Sequence, residues 1–281
     1  MKRCHIEKNT VQETLVIPLY GRKVCSERYP DLYRDPEACA LMDRIDYDFS
    51  ALAEKSRGVM YQFGFLEVAM RQTDLAWEVR DYLRTHPRAA VVNLGCGLDC
   101  TGRQCDNGTC RLYNLDLPDV IAVRDQLLPA GEREENIPCD LSDTAWFQRI
   151  DASGGAVFFA AGVFYYFLKE QVRTLVRQMA DAFPGSVLVF DAANGKAVRL
   201  MLKTWIKDAA IQNVGAYFAV ADARRELSAW DSRLRVSSRG YMLGYNDLKD
   251  PSVSGFFRFL ARVGDNRMNM QIVKLGFGDG R

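Results

Sequence analysis

Histidine is nearly missing from this chain: His5 and His86 are the two in 281 residues. A reaction that leans on an imidazole base has few places to find one. An excess of one charge is missing too. Lys and Arg number 37 against 36 Asp and Glu, which argues against broad phosphate-backbone binding, and no nucleic-acid partner is expected. There is no apolar run of the roughly 18 residues that a membrane-spanning helix needs. The opening MKRCHIEKNT has basic residues but no apolar core behind them. It does not read as a signal peptide, so the expectation is a cytoplasmic protein without a membrane partner. No internal repeat or low-complexity segment occurs. Apolar residues are plentiful, at 48%, enough to fill one large α/β core or two small ones.

The eight cysteines lack the C-x-x-C spacing of a zinc knuckle. Cys100, Cys105 and Cys110 recur every five residues, with Cys96 close by. In a reducing compartment they stay thiols. We read them as small, semi-buried side chains around a pocket, with no metal.

Residues 1–60 read as short helical pieces and turns, broken by Pro18, Pro30, Pro36 and Gly58. Over 65–85 the spacing predicts a long helix, with Val68, Gln72, Leu75, Val79 and Tyr82 on one face and His86-Pro87 as its stop. Strands are expected near 89–94, 111–115, 136–139, 156–160 and 186–191, with a helix over 168–183. Such alternation gives a parallel sheet covered on both sides. Residues 195–232 lack strand character and read as a helical lid, with Trp205, Ile206, Tyr217, Phe218 and Trp230. Residues 235–242 and 269–277 alternate as strands, flanking a helix over 253–263.

The most informative stretch is 89–119. A buried strand ends in a turn carrying Gly95 and Gly97, and a second strand ends at Asp116, 21 positions after Gly95. Glycines let backbone approach a ligand, and a carboxylate at the next strand tip accepts from ribose hydroxyls. The third glycine of a dinucleotide fingerprint is absent, because Cys100 stands there. S-adenosylmethionine (SAM) has a ribose and an adenine but no phosphate, and fits this turn better than NAD. An NAD-linked oxidoreductase is the disfavoured alternative, and a tight βα turn followed by a surface aspartate is the bland one. Arg71 lies on or beside the apolar stripe of the long helix, so it must snorkel outward or meet an anion. A bidentate hold on the carboxylate of SAM is one such meeting.

Several motifs occur in order: NLGCGLD (93–99), YNLDLPDVI (113–121), CDLSDTAW (139–146), AAGVFYYF (160–167) and FPGSVLVFDA (183–192). Together the set resembles the leucine carboxyl methyltransferase superfamily, in particular its tetracenomycin polyketide synthesis O-methyltransferase-like branch. The resemblance runs from about Asp43 to the final KLGFG. It implies a Rossmann-like class I methyltransferase: an α/β fold whose sheet has seven mostly parallel strands, the last antiparallel. Residues 1–86 would form a helical cap and clamp helix, and 87–281 a core with a lid at about 195–232. It further implies SAM as cofactor, S-adenosylhomocysteine (SAH) as product, and transfer to the oxygen of a small-molecule carboxylate or phenol. The positions implied for the cofactor are Arg71, Asn93, Gly95, Cys96, Gly97, Asp116, Leu117, Asp140, Leu141, Ala160, Ala161 and Gly162. Among them Arg71 would take the carboxylate, Asp116 the ribose and Asp140 the adenine amine.

One departure is visible. The family reads A-E-G-V where this chain has Ala160-Ala161-Gly162-Val163, which leaves open a catalytically weak SAM-binding protein that senses or scaffolds. An ionised carboxylate acceptor needs no base, whereas a phenol would benefit from one. The shortage of histidine leans toward the acid. Tyr166 and Arg199 are the candidate acceptor-site residues. Tyr20, Tyr165 and Asn194 read more readily as packing or capping side chains, and His5 as part of a solvated tail.

Overall fold

Runs such as AVVNL and AVFFA, apolar on both alternating faces, belong in the middle of a parallel sheet covered on both sides, and that is where they sit. A computed structural model of the chain describes residues 3–7, 10–201 and 217–278. Seven strands form one sheet: β1 (Ala90–Leu94), β2 (Arg111–Asp116), β3 (Glu134–Pro138), β4 (Ala156–Ala160), β5 (Val187–Ala192), β6 (Leu234–Gly240) and β7 (Gln271–Phe277). Their order is β3-β2-β1-β4-β5-β7-β6. Every pairing is parallel except the two made by β7, which runs antiparallel to β5 and β6. All five residues of β1 and of β4 are buried.

Alternation sends neighbouring side chains to opposite faces. Val92 and Phe158 join Trp146, Val176 and Met179 on one side. Val91 and Phe159 join Leu66, Met70, Leu75 and Val79 on the other. A third apolar cluster ties the N-terminal segment (Leu15, Leu19, Ile45) to Leu98, Val120 and Val123.

The helices are α1 (Val16–Arg28), α2 (Pro36–Met42), α3 (Ser50–Lys55), α4 (Val59–Thr85), α5 (Thr101–Gln104), α6 (Pro118–Leu127), α7 (Lys169–Ala182), α8 (Gly195–Met201), α9 (Ala223–Leu227) and α10 (Gly255–Arg267). Pro18 does not break α1, because it falls in the first turn, where no amide is needed. Pro36 opens α2 for the same reason. Helix α4 starts six residues earlier than the periodicity predicts, after Gly58; of its expected face Gln72, Leu75, Val79 and Tyr82 are buried, and Val68 is only partly so. At its C-terminal end the Tyr82 hydroxyl donates to Gly185 O, just before β5. At mid-length Arg71 reaches Asp191, near the end of the same strand. The helix therefore runs from the foot of the sheet to its carboxyl edge. Residues 59–70 continue past that edge by about 18 Å, and α1 packs along α4, with Gly21 against the Phe65 ring.

Two expectations are revised. Strand β3 begins at Glu134, earlier than the apolar pattern suggests. It is an edge strand whose polar side chains are held by neighbours, Glu134 by Arg103 and Asn114. Within 195–232 the described parts are helical only in α8 and α9. Residues 217–222 are irregular, with the Tyr217 and Phe218 amides donating to Tyr165 O while the Phe218 ring is buried in the core. Trp205 and Ile206 lie outside the described residues. No described helix is long and apolar enough to cross a membrane.

The inner face of α4 also carries Asp74, fully buried. Its Oδ2 accepts from the Met242 amide at 2.9 Å, fixing a non-glycine residue at φ +65°. Its Oδ1 has no partner. Burial, with Asp265 nearby, pushes this carboxyl up to about 8. The folded chain then holds a proton that the unfolded chain has lost, so stability falls as pH rises from about 4 through about 8. Asp74→Asn is expected to escape that loss: in urea unfolding, its stability relative to wild type rises between about pH 5 and pH 8.5. A pH-independent difference would mean the carboxylate is ionised in the fold.

Candidate active site

The carboxyl edges of β1, β2, β4 and β5 bring most of the predicted positions together. After β1 the chain turns with Gly95 at φ +66° and Gly97 at φ +46°, a left-handed conformation that suits glycine. Space demands it as well. A Cβ at Gly95 would lie 2.6 Å from Val163 Cγ2, and one at Gly97 3.0 Å from Leu15 Cδ2. The glycine turn thus touches the AAGV segment on one side and the N-terminal segment, through Leu15, on the other.

Asp116, at the tip of β2, accepts from the Gly97 amide through Oδ2 and from the Leu117 amide through Oδ1, both at 2.8 Å. Burial pushes its carboxyl up, against the pull of those two amides. Each oxygen keeps a lone pair for a further donor. Asp140, after β3, is exposed, and its Oδ1 accepts from the amide and hydroxyl of Ser142. Beside these, Leu117 is partly exposed and Leu141 is buried.

After β4, Gly162 takes φ +72°. Its amide donates to Asp191 Oδ1 at 2.6 Å, and Arg71 Nη1 donates to Asp191 Oδ2 at 3.1 Å. A Cβ at Gly162 would fall 2.6 Å from Arg71 Nη1, so the guanidinium lies against the bare backbone of this turn. Arg71 therefore does not snorkel: it turns inward to an anion. Burial and Asp191 hold the Tyr165 phenol well above its ordinary range, and its hydroxyl donates to the same carboxylate.

The sequence reading gave Asp191 no role, although a carboxylate in the buried run LVFDA has to be paired. It also passed over the residues that hold the glycine turn. Arg124, fully buried, donates to Gly97 O (2.9 Å) and Asp99 O (2.8 Å). Arg22, also buried, donates to Leu98 O at 2.8 Å and pairs with Asp35. Asp99 gathers Gln72 Nε2, Asn93 Nδ2 and the amide and hydroxyl of Thr101. The Asn93 side chain thus serves this network. Cys96, between the two glycines, is buried, which pushes its thiol up.

Other candidates stand apart. Asn194 caps α8, its Oδ1 accepting from the Lys196 and Ala197 amides. Arg199 is exposed on that helix. Tyr166 is 43% exposed, beside Tyr165. Tyr20 stacks on Phe49 and edges Phe65. His5 pairs with Asp46 at the surface, and His86 stacks on Tyr82 at the far end of α4. All eight cysteines are free. Among the described residues no group of three or more His, Cys, Asp or Glu is placed to hold a metal ion.

The strand order, with one antiparallel strand inserted beside the edge, is that of the class I methyltransferases. The chain belongs to the leucine carboxyl methyltransferase family, whose pattern matches residues 22–180. It is 28% identical over 183 residues to the tetracenomycin polyketide synthesis O-methyltransferase TcmP of Streptomyces glaucescens, across 65% of this chain and 66% of that protein, just under two-thirds of its length. Its fold is similar to that of a DUF574 family protein from Streptomyces avermitilis, with TM-score 0.60 and 13% identity over 83% of this chain and 92% of that one. It is also similar to a methyltransferase candidate from Thermobifida fusca, with TM-score 0.56 and 17% identity over 76% and 82%.

Proposed function

We propose that this chain is a SAM-dependent O-methyltransferase acting on a small-molecule carboxylate or phenol, with residues 1–86 as cap and clamp on a core formed by 87–281. The observation that carries this reading is the placement of Asp116, locked to the glycine turn, and of Arg71, pressed against Gly162, at one sheet edge. The donor set suits SAM. Asp116 has lone pairs for two ribose hydroxyls. Gly95, Gly97 and Gly162 offer backbone where side chains would collide. Arg71 has guanidinium N–H groups beyond the one on Asp191 for an amino-acid carboxylate. Asp140 has a free oxygen for an adenine amine, and Leu117 and Leu141 are the apolar side chains assigned to the same ring.

When bound, SAM supplies a methyl group on a positively charged sulfur. The chain's own contribution is to hold donor and acceptor in line and to keep water out. The cap, which touches Gly97 through Leu15, closes the site on one side. Neither histidine is at the site, and the Tyr165 phenol stays protonated, so it donates hydrogen bonds rather than taking a proton. Both facts favour an acceptor that is already ionised. The TcmP relative, by name a polyketide O-methyltransferase, agrees with oxygen as the receiving atom.

The test is transfer of isotopically labelled methyl from SAM to a panel of aromatic and aliphatic carboxylates and their phenolic counterparts. Carboxylates are expected to be labelled, with base-resistant label on none of them, since a methyl ester is cleaved by alkali. SAM binding without labelling of any acceptor would favour the sensing role instead.

A further inference from the structure

Arg71 sits among four groups: Glu67 one turn earlier on α4, Asp191 on β5, Tyr165 after β4, and Tyr241 in the turn after β6. Most of their hydrogen-bonding capacity is used. Asp191 accepts from the Gly162 amide, from Arg71 and from Tyr165. The Tyr241 hydroxyl donates to the main-chain carbonyl of Glu67. The Glu67 carboxylate is the exception. It is half-buried, four residues from Arg71 on one helix face, and makes no hydrogen bond or ion pair with a described residue. A partly desolvated carboxylate is costly unless a cation or a donor meets it.

We propose that Glu67 is the acceptor for the methionyl ammonium of SAM and SAH, completing with Arg71 a two-point recognition of the amino-acid zwitterion. This rests on the cofactor reading above. The ammonium and carboxylate of an amino acid branch from one carbon, so their partners have to lie side by side, as Glu67 and Arg71 do one helical turn apart. Asp191 is already engaged, and the Ala160-Ala161-Gly162 turn offers only backbone.

The charged and titratable groups facing Glu67 are Arg71 from its own helix, Asp265 from α10 and Tyr241 from the turn after β6. Burial is the main cause that brings its carboxyl up to about 7, with Arg71 opposing and Asp265 adding. Near pH 7 the free protein therefore carries a proton on this group in part of its population. An ammonium placed against it lowers its pKa, so binding expels protons.

The experiment is titration calorimetry of SAH near pH 7 in two buffers of different ionisation enthalpy, on wild type and Glu67→Gln. 5′-Methylthioadenosine, which lacks both amine and carboxylate, serves as the control ligand. Wild type is expected to release protons with SAH and none with the control. Glu67→Gln should lose that release, bind SAH about tenfold or more weakly, as expected for one charge-assisted contact, and bind the control like wild type. Unchanged SAH affinity and proton release in Glu67→Gln would overturn the assignment. So would equal losses for both ligands, which would make Glu67 structural, or a fall in kcat at unchanged SAH affinity, which would make it a proton acceptor. Absence of SAH binding to wild type would instead overturn the cofactor reading itself, and this assignment with it.

Discussion

Arg71→Lys is expected to bind SAH about tenfold or more weakly than wild type while melting close to it. Arg71→Ala should lose at least as much affinity and unfold earlier as well. The two variants separate two roles that the structure places on one side chain. Lysine keeps a cation beside Asp191, whose side chain is 2% exposed, but has no fork to share between Asp191 and a ligand carboxylate. Alanine removes both and leaves Asp191 buried without its cation, a loss of up to about 3–5 kcal/mol. Calorimetry beside thermal melting checks this. If Arg71→Lys binds SAH like wild type, the residue serves Asp191 alone.

The largest stability loss is expected at Arg124. Arg124→Met keeps an unbranched apolar stem but removes the donors to Gly97 O and Asp99 O and the bond to Asn136 Oδ1. The two buried carbonyls then lose their donors, and the nearby Glu134 carboxylate is left with Arg103 as its cation. The cost is about 3 kcal/mol or more, or roughly 6–12 °C in Tm. Because the carbonyls belong to the glycine turn, SAH affinity should fall in the folded variant as well, which calorimetry well below its Tm reads directly. A folded variant with wild-type SAH affinity would show that Arg124 supports the α6 side of the sheet and not the turn.

How much of this could be read from the sequence follows from which physical signals are local. The apolar runs of β1 and β4 and the face of α4 are periodic, so their places could be read directly. Gly95, Gly97 and Asp116 could be read because a strand, a turn and a second strand tip are separated by fixed lengths. The start of α4 escaped because Gly64 interrupts the stretch and nothing local marks Gly58 as the cap. Strand β3 was misplaced because Glu134, Glu135 and Asn136 look like loop until Arg103, Arg124 and Asn114 are brought to them. Asp191 had only the signature of a carboxylate in a buried run, which names no partner, and Arg124 and Arg22 had no local signature. Their roles arise from partners 120, 27 and 76 positions away, and only the fold brings those together. Arg71 lay between: its position on the stripe demanded either a snorkelling stem or an anion, and the sequence could not say that Asp191 would be there.

The most direct measurement of the central claim is calorimetry of wild type and Asp116→Ala with SAH and with NAD. One SAH site, no NAD binding, and a loss of about 1–3 kcal/mol in Asp116→Ala, the cost of stranding buried ribose hydroxyls, are the predicted results. Equal SAH affinity in the two proteins, or NAD binding to wild type, would contradict a SAM site at the glycine turn.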